Sequence, residues 1–289
     1  MAVRWKEQGL VFPCGDNRLV GIAALPESRY SDVGVVLLVG GPQYRVGSHR
    51  QFTQLARDLA GAGIPSLRFD YTGMGDSEGE QRDFSAVEQD IGAAISAFTE
   101  VEPGVRRIVL WGLCDAASSA MMFAHRFPQV RGMVLLNPWV HGADYSPEVK
   151  LSHYYRPLFT AGENWRRLLS GKIDLIPALK ELFGSSLHTA AGWVGLGSSA
   201  SRHLAVDQML EGMREFASNC LIILSEDDLT AKEFSSLVDR DKKWQRVVAA
   251  DGIVTHLVAG ADHTFSTREW KSEVSDLTLN WVRDLPQSG

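Results

Sequence analysis

The chain has few cysteines, no long apolar run and no excess of positive charge. Its 289 residues contain three cysteines, Cys14, Cys114 and Cys220, which are too few and too scattered for a disulfide framework or a structural zinc site. No run of about eighteen apolar residues occurs, and residues 1–15 lack an apolar segment, so we expect neither a membrane span nor a signal peptide. Lys and Arg number 29 against 35 Asp and Glu, a net charge of −6, which argues against a nucleic-acid-binding protein. These absences favour a soluble, cytoplasmic protein.

Signatures of metal and cofactor sites are also missing. No set of His, Cys and Asp residues has the spacing of metal ligands. Gly73-x-Gly75 lacks both the third glycine and the helix start of a nucleotide-binding loop. We therefore expect no metal and no cofactor.

Short apolar runs rich in Val, Ile and Leu alternate with apolar residues at helical spacing. Strands that are apolar throughout are typical of a parallel sheet covered by helices on both faces. A hairpin of Leu10–Phe12 and Leu19–Ala24, joined by residues 13–18, is expected at the front edge. With it, the pattern predicts an α/β fold with a mostly parallel, eight-stranded sheet. The other predicted strands are Val35–Val39, Ser66–Phe69, Ile108–Trp111, Met133–Leu136, Leu221–Leu224 and Val254–Val258, and four helical patterns lie near residues 52–60, 87–98, 117–124 and 270–281.

The alternation stops once, between residues 139 and 219. This stretch has no convincing strand but contains many aromatic residues, among them Trp139, Tyr154 and Tyr155. An insertion of this size in a regular α/β pattern is usually functional. We predict a helical cap over residues 139–219, inserted after strand 6 into a core of residues 1–138 and 220–289, with these aromatics binding an apolar substrate; the alternative is a loose set of surface helices.

The segment Gly112-x-Cys114-x-Ala116 has the pattern of a nucleophile elbow, with Cys in place of Ser and Ala in place of the second Gly. The turn of such an elbow is so tight that the residues two before and two after the nucleophile must be small. The thiol would lie at a helix N-terminus, where the partial positive charge favours thiolate. The alternative is that Cys114 is a small buried apolar residue.

Two further segments supply an acid and a histidine in the order that follows such a nucleophile. Ser225 to Thr230 brings acidic residues directly after a predicted strand, and His263 follows the last predicted strand. An acid would orient the imidazole, and the imidazole would take the thiol proton or hold it in a thiolate–imidazolium pair. Spacing favours Asp228 as the acid, with Asp227 as the alternative.

Three segments together resemble the exosortase A system-associated hydrolase 1 family of α/β-hydrolases: Val39–Phe52, Phe69–Gly79 and Gly112–Ala116. The resemblance implies an α/β-hydrolase fold and a Cys-His-Asp triad more firmly than it implies a substrate. The run Asp70-x-x-Gly73-x-Gly75-x-Ser77 resembles the hydrolase turn after the fourth strand, which we interpret as structural.

An oxyanion hole needs two backbone N–H groups directed at the developing charge. The N–H of Asp115, the residue after the nucleophile, is one candidate. The second should follow Val39, but Pro42 has no N–H, so Gly41 or Gln43 must supply it. Nearby, Tyr44 and Arg45 are candidate substrate-binding residues, and Arg45 could meet an anionic group; the alternative is an ordinary surface charge.

The sequence thus favours acyl transfer from an ester or thioester through a cysteine acyl-enzyme, as in a thioesterase, esterase or acyltransferase. One alternative is a lyase or eliminase in which His263 abstracts a proton and a carboxylate is expelled. A second is a non-catalytic accessory protein. The expected partner is a small-molecule or carrier-bound acyl substrate, and the sequence leaves a homodimer open.

Overall fold

The computed structural model describes residues 3–41, 43–140, 199–216 and 219–286, with the backbone alone for residues 199–203. The chain divides into two compact units, one of residues 1–140 and 207–289 and one of residues 141–206. The first unit holds every strand discussed below. Of the second, only residues 199–206 are described, and they are helical. Most of the predicted cap, with Tyr154 and Tyr155, lies outside the described residues, so the cap stays a prediction.

Eight strands of the described residues form a single sheet in the order β1-β2-β4-β3-β5-β6-β7-β8. The pairings β1–β2 and β2–β4 are antiparallel, whereas every pairing from β4 through β3 to β8 is parallel. The predicted mostly parallel, eight-stranded sheet is therefore confirmed. Its strands are β1 (Trp5–Cys14), β2 (Asn17–Pro26), β3 (Val33–Leu38), β4 (Ser66–Phe69), β5 (Arg107–Leu113), β6 (Val130–Leu136), β7 (Asn219–Ser225) and β8 (Ile253–Val258).

The edge hairpin is present, but its predicted extent was wrong. Its strands pair from Trp5 opposite Pro26 to Cys14 opposite Asn17, which leaves a turn of only Gly15 and Asp16. Gly15 has φ +59°, a value that glycine adopts without steric cost. The predicted strands were too short because much of β1 is exposed, so its backbone pairing leaves little apolar pattern in the sequence.

Helices cover both faces of the sheet, as predicted. Helices α1 and α7 share one apolar core with β3 and β5, and Ser275 of α7 donates a hydrogen bond to Asp58 of α1 (2.9 Å). The pattern did not single out α5 and α6, which pack together through Phe234 and Trp244. The helices are α1 (Gln51–Gly61), α2 (Glu88–Val101), α3 (Asp115–Phe123), α4 (Ser199–Phe216), α5 (Leu229–Arg240), α6 (Lys242–Val248) and α7 (Arg268–Arg283).

The carboxyl ends of the parallel strands converge at one edge of the sheet, where ligands bind in open α/β sheets. Gly40 follows β3, Cys114 follows β5, Asn137 follows β6, Asp228 follows β7 and His263 follows β8. The topology of the sheet therefore brings these residues, which are far apart along the chain, to the same edge of the sheet.

We expect Gly112→Ala to destabilise the protein by about 1–3 kcal/mol, the usual cost of overpacking. A Cβ at Gly112 would lie 2.6 Å from the carbonyl carbon of Ala116, a backbone atom that cannot rotate away. Urea unfolding measures the change. Gly9→Ala is the matched control, because Gly9 is an exposed strand glycine with open space around it. Equal stabilities for the two variants would contradict the tight turn.

Candidate active site

Cys114 occupies a strained turn between β5 and α3. Its φ and ψ are 63° and −125°, a conformation that L-residues rarely adopt and that is common at functional sites. The small residues Gly112 and Ala116 make the turn feasible, since their backbones approach each other closely. Cys114 is partly exposed, whereas Cys14 and Cys220 are buried. The turn therefore presents this sulfur at the N-terminus of α3.

His263 links Cys114 to Asp228. Its Nδ1 lies 3.0 Å from Oδ2 of Asp228, although the ring N–H does not point along the line between them. Such a contact is typical of a catalytic pair before substrate tightens it. The imidazole also lies close enough to Cys114 for that side chain to raise its pKa. The three residues that the sequence placed far apart therefore meet.

The pKa of His263 is raised to about 10. Burial of the ring lowers this pKa by disfavouring the charged form. The interactions of the ring with the side chains of Asp228 and Cys114 outweigh that effect. The arrangement thus holds His263 as an imidazolium at neutral pH.

The two candidate acids differ sharply in their surroundings. Asp228 is buried, and its Oδ2 also accepts a hydrogen bond from the N–H of Ala231 (3.0 Å), which caps α5. Asp227 has a side chain that is 69% exposed and lies 3.9 Å from Lys232. The structure thus brings Asp228, and not Asp227, against the imidazole.

The predicted oxyanion donors show an unexpected arrangement. The N–H of Gly41 donates to Oδ1 of Asp115 (2.7 Å), so a side chain already occupies this donor. The side-chain oxygen of Gln43 accepts the N–H of Ser48 (2.9 Å), which ties Gln43 into its own loop. Neither contact tests which N–H would meet a substrate, and the assignment of Asp115, Gly41 and Gln43 to an oxyanion hole stays a prediction.

The candidate substrate-binding residues have separate environments. Arg45 forms ion pairs with Asp70 and Asp76, and its guanidinium lies 5.9 Å from the ring of Tyr44. These two carboxylates neutralise the positive charge of Arg45, which the sequence analysis assigned to binding an anionic group. The ion pairs instead stabilise the turn after β4. Trp139 lies beside the elbow, where its backbone N–H donates to the backbone carbonyl of Cys114 (3.3 Å).

One buried residue at this edge escaped the sequence pattern. Asn137, fully buried and with φ 42°, donates to Ser225 (2.8 Å) and to the backbone carbonyl of His263 (3.0 Å). Its side-chain oxygen accepts the N–H of Ser225 (2.8 Å). This amide ties the end of β6 to β7 and to the loop that carries His263. The signal for Asn137 in the sequence was a polar residue directly after an apolar strand.

A profile of the Alpha/beta hydrolase family matches residues 35–276. The chain therefore belongs to the alpha/beta hydrolase family, and the protein is a hydrolase-type enzyme. A search of curated protein sequences found no match.

Solved structures of low sequence identity share the fold. The esterase Pf2001 of Pyrococcus furiosus is 16% identical with a TM-score of 0.61, covering 96% of this chain and 93% of its own. Est1E of Butyrivibrio proteoclasticus, solved with ferulic acid, is 13% identical with a TM-score of 0.61, and 94% and 99% of the two chains are covered. An alpha-beta serine hydrolase homologue from Coxiella burnetii is 14% identical with a TM-score of 0.56, covering 94% of this chain and 96% of that one.

The residues that the structure describes contain no helix long and apolar enough to cross a membrane. Within the same ranges, no group of three or more His, Cys, Asp or Glu residues could hold a metal ion.

We expect the His263 imidazole to titrate near pH 10 in wild type and at lower pH in Asp228→Asn, which removes the adjacent charge but can still cap α5. NMR of the imidazole protons measures both midpoints. The raised pKa stabilises the folded state fully below about pH 6.5, the ordinary value of histidine, and this contribution is lost as the pH rises toward 10.

Asp227→Asn is the control for this titration, because its side chain points to solvent and to Lys232. Its midpoint should match wild type. A wild-type midpoint near 6.5, or equal shifts in the two variants, would contradict the ion pair.

Proposed function

We propose that the protein transfers acyl groups from an ester or thioester through a covalent Cys114 acyl-enzyme. The observation that carries this proposal is the contact chain from the strained Cys114 through His263 to Asp228. A nucleophile, a base and an orienting acid in contact are the parts that such chemistry needs. The name of one similar structure, the esterase Pf2001 of Pyrococcus furiosus, agrees with it.

The reaction follows from the charges of the site. Nδ1 of His263 faces Asp228, which leaves Nε2 for the sulfur. The Cys114 thiolate attacks the carbonyl carbon, a C–S bond forms, and the carbonyl π pair moves onto oxygen. When the tetrahedral intermediate collapses, the bond to the leaving group breaks and the imidazolium proton passes to that group. Water, an alcohol or an amine then resolves the acyl-enzyme, with the neutral imidazole as base.

A cysteine nucleophile favours activated donors. The acyl-enzyme is itself a thioester, so exchange with a thioester donor is nearly isoenergetic and the acyl group stays reactive toward an alcohol or amine. Thioesterase or acyltransferase activity therefore fits this site better than cleavage of unactivated amides. An aromatic cap over residues 139–219 would suit an apolar acyl group.

The finer assignment to the exosortase A system-associated hydrolase 1 family belongs to the same proposal. It is supported by the Gly-Gly-Pro loop after β3 and by Cys in the elbow. A cytoplasmic location and a homodimer stay predictions.

A lyase or eliminase is the second candidate. The occupied Gly41 N–H favours it, because a reaction without an oxyanion would not need that donor. In this case His263 would abstract a proton while Cys114 only lines the pocket.

Mass spectrometry after incubation with an activated acyl thioester tests the proposal. We expect an acyl adduct on Cys114 in wild type and none in Cys114→Ala, whose turnover should fall by about 10⁴-fold or more, as when a catalytic nucleophile is removed. Cys220→Ala is the control, since Cys220 is fully buried and its loss should leave labelling unchanged.

The outcomes separate the candidates. Labelling that persists in Cys114→Ala would overturn the acyl-enzyme. Turnover by that variant without any adduct would support the eliminase. Inactivity of wild type across an ester and thioester panel would favour the accessory protein.

A further inference from the structure

The carboxyl group of Asp115 lies among backbone donors that an acyl-transfer enzyme would direct at its substrate. The N–H of Gly41 donates to Oδ1 (2.7 Å), and the N–H groups of Ala116 and of Asp115 itself also stabilise the charged carboxylate. Two of these donors are the ones that the sequence assigned to the oxyanion hole. The Asp115 carboxyl therefore occupies a backbone donor that the sequence assigned to the substrate oxyanion.

This carboxyl is held tightly and is not a solvated surface group. A Cβ on Gly40 would collide with Oδ1 of Asp115 and with the carbonyl oxygen of Leu113, so only glycine allows the loop after β3 to lie so close. Asp115 is half-buried, and burial of its carboxyl raises its pKa to about 6 despite the three N–H groups. The group can therefore take up a proton near neutral pH.

Two titratable groups of the described residues interact electrostatically with Asp115. Asp83, from the turn before α2, adds negative charge. Tyr71, in the loop after β4, is buried, and its raised pKa keeps it neutral. Charge near Asp115 thus favours its protonated form.

The two protonation states would have opposite effects on acyl transfer. A carboxylate repels the negative charge that develops on the carbonyl oxygen, whereas a neutral acid donates a hydrogen bond to it. The backbone cannot fill this role at the next position, because Pro42 has no N–H. A carboxylic acid kept neutral in order to donate to an oxyanion is a known device of enzymes.

We propose that Asp115 is a catalytic residue that works as a carboxylic acid, completing the oxyanion hole with its own O–H. Oδ1 keeps the hydrogen bond from Gly41 while protonated Oδ2 donates to the substrate carbonyl oxygen. This inference rests on the proposed acyl transfer. As the thiolate attacks, the π pair moves onto that oxygen and the Oδ2–H bond stabilises it. When the intermediate collapses the pair returns to the carbonyl, the leaving group takes the His263 proton, and Asp115 keeps its own.

The pH dependence of Cys114 acylation by p-nitrophenyl acetate tests the inference. The wild-type rate constant should fall as the pH rises above about 6, because at pH 8 about 1% of Asp115 keeps its proton. Asp115→Asn places an amide in the same position: its oxygen accepts from Gly41 and its NH₂ donates at every pH. We expect the acylation rate constant of this variant to stay nearly constant between about pH 5.5 and 8. At pH 8 it should be at least about tenfold higher than that of wild type.

Two further variants separate donation from simple charge removal. Asp115→Leu has no donor and should be slow at every pH, whereas loss of repulsion alone would make it as fast as Asp115→Asn. Asp83→Asn removes a neighbouring charge that does not touch the site, so its profile should keep the wild-type shape with a slightly lower midpoint. Circular dichroism checks that each variant folds, and ¹³C NMR of the aspartate carboxyls follows the Asp115 titration independently of activity.

The failures of the two proposals look different. If wild-type Cys114 is acylated but Asp115→Asn is no faster at pH 8, or the wild-type rate rises steadily with pH, only the role of Asp115 is overturned. An Asp115 carboxyl that titrates near 4 by NMR overturns it as well. If Cys114 forms no adduct in any variant at any pH, acyl transfer and the role of Asp115 fall together.

Discussion

The turn at Cys114 is the constraint on which the rest of the site depends. A residue with φ 63° between a buried strand and a helix persists only where the surrounding structure over-determines it. Here Gly112 and Ala116 allow the backbones to meet, and β3 and β6 flank β5 on both sides in parallel pairing. The pairing of β5 at the centre of the sheet therefore stabilises this strained turn. The turn in turn fixes the sulfur of Cys114 at the edge where the parallel strands end.

Electrostatic interactions and burial then determine the pKa values of His263 and Asp115. Asp228 and Cys114 both lie beside His263, and together they raise the pKa of its imidazole to about 10. Asp115 follows Cys114 in the chain, and its carboxyl accepts a hydrogen bond from the backbone N–H of Gly41. The pKa values of both groups are therefore raised, that of His263 by its neighbours and that of Asp115 by burial.

The sequence was informative where local pattern and chemistry coincide. Apolar strands, the small residues around Cys114 and an acid after β7 all leave local signals, so the sheet and the meeting of Cys114, His263 and Asp228 could be predicted. Asn137 and the side chain of Asp115 could not, because their roles depend on a loop approaching from another strand. The full length of β1 was missed since exposed edge pairing is carried by backbone hydrogen bonds. The ion pairs of Arg45 with Asp70 and Asp76 could not be predicted either, because they depend on the conformation of the loop and not on the spacing of residues in the sequence.

A crystal structure of the protein soaked with an acyl-thioester analogue tests the central claim most directly. The account predicts electron density continuous from Sγ of Cys114 to the acyl carbon, with the imidazole of His263 within hydrogen-bonding distance of the sulfur. An analogue bound elsewhere would contradict it. So would an imidazole beyond hydrogen-bonding reach of the acylated sulfur, since the reaction would then have no proton donor for its leaving group.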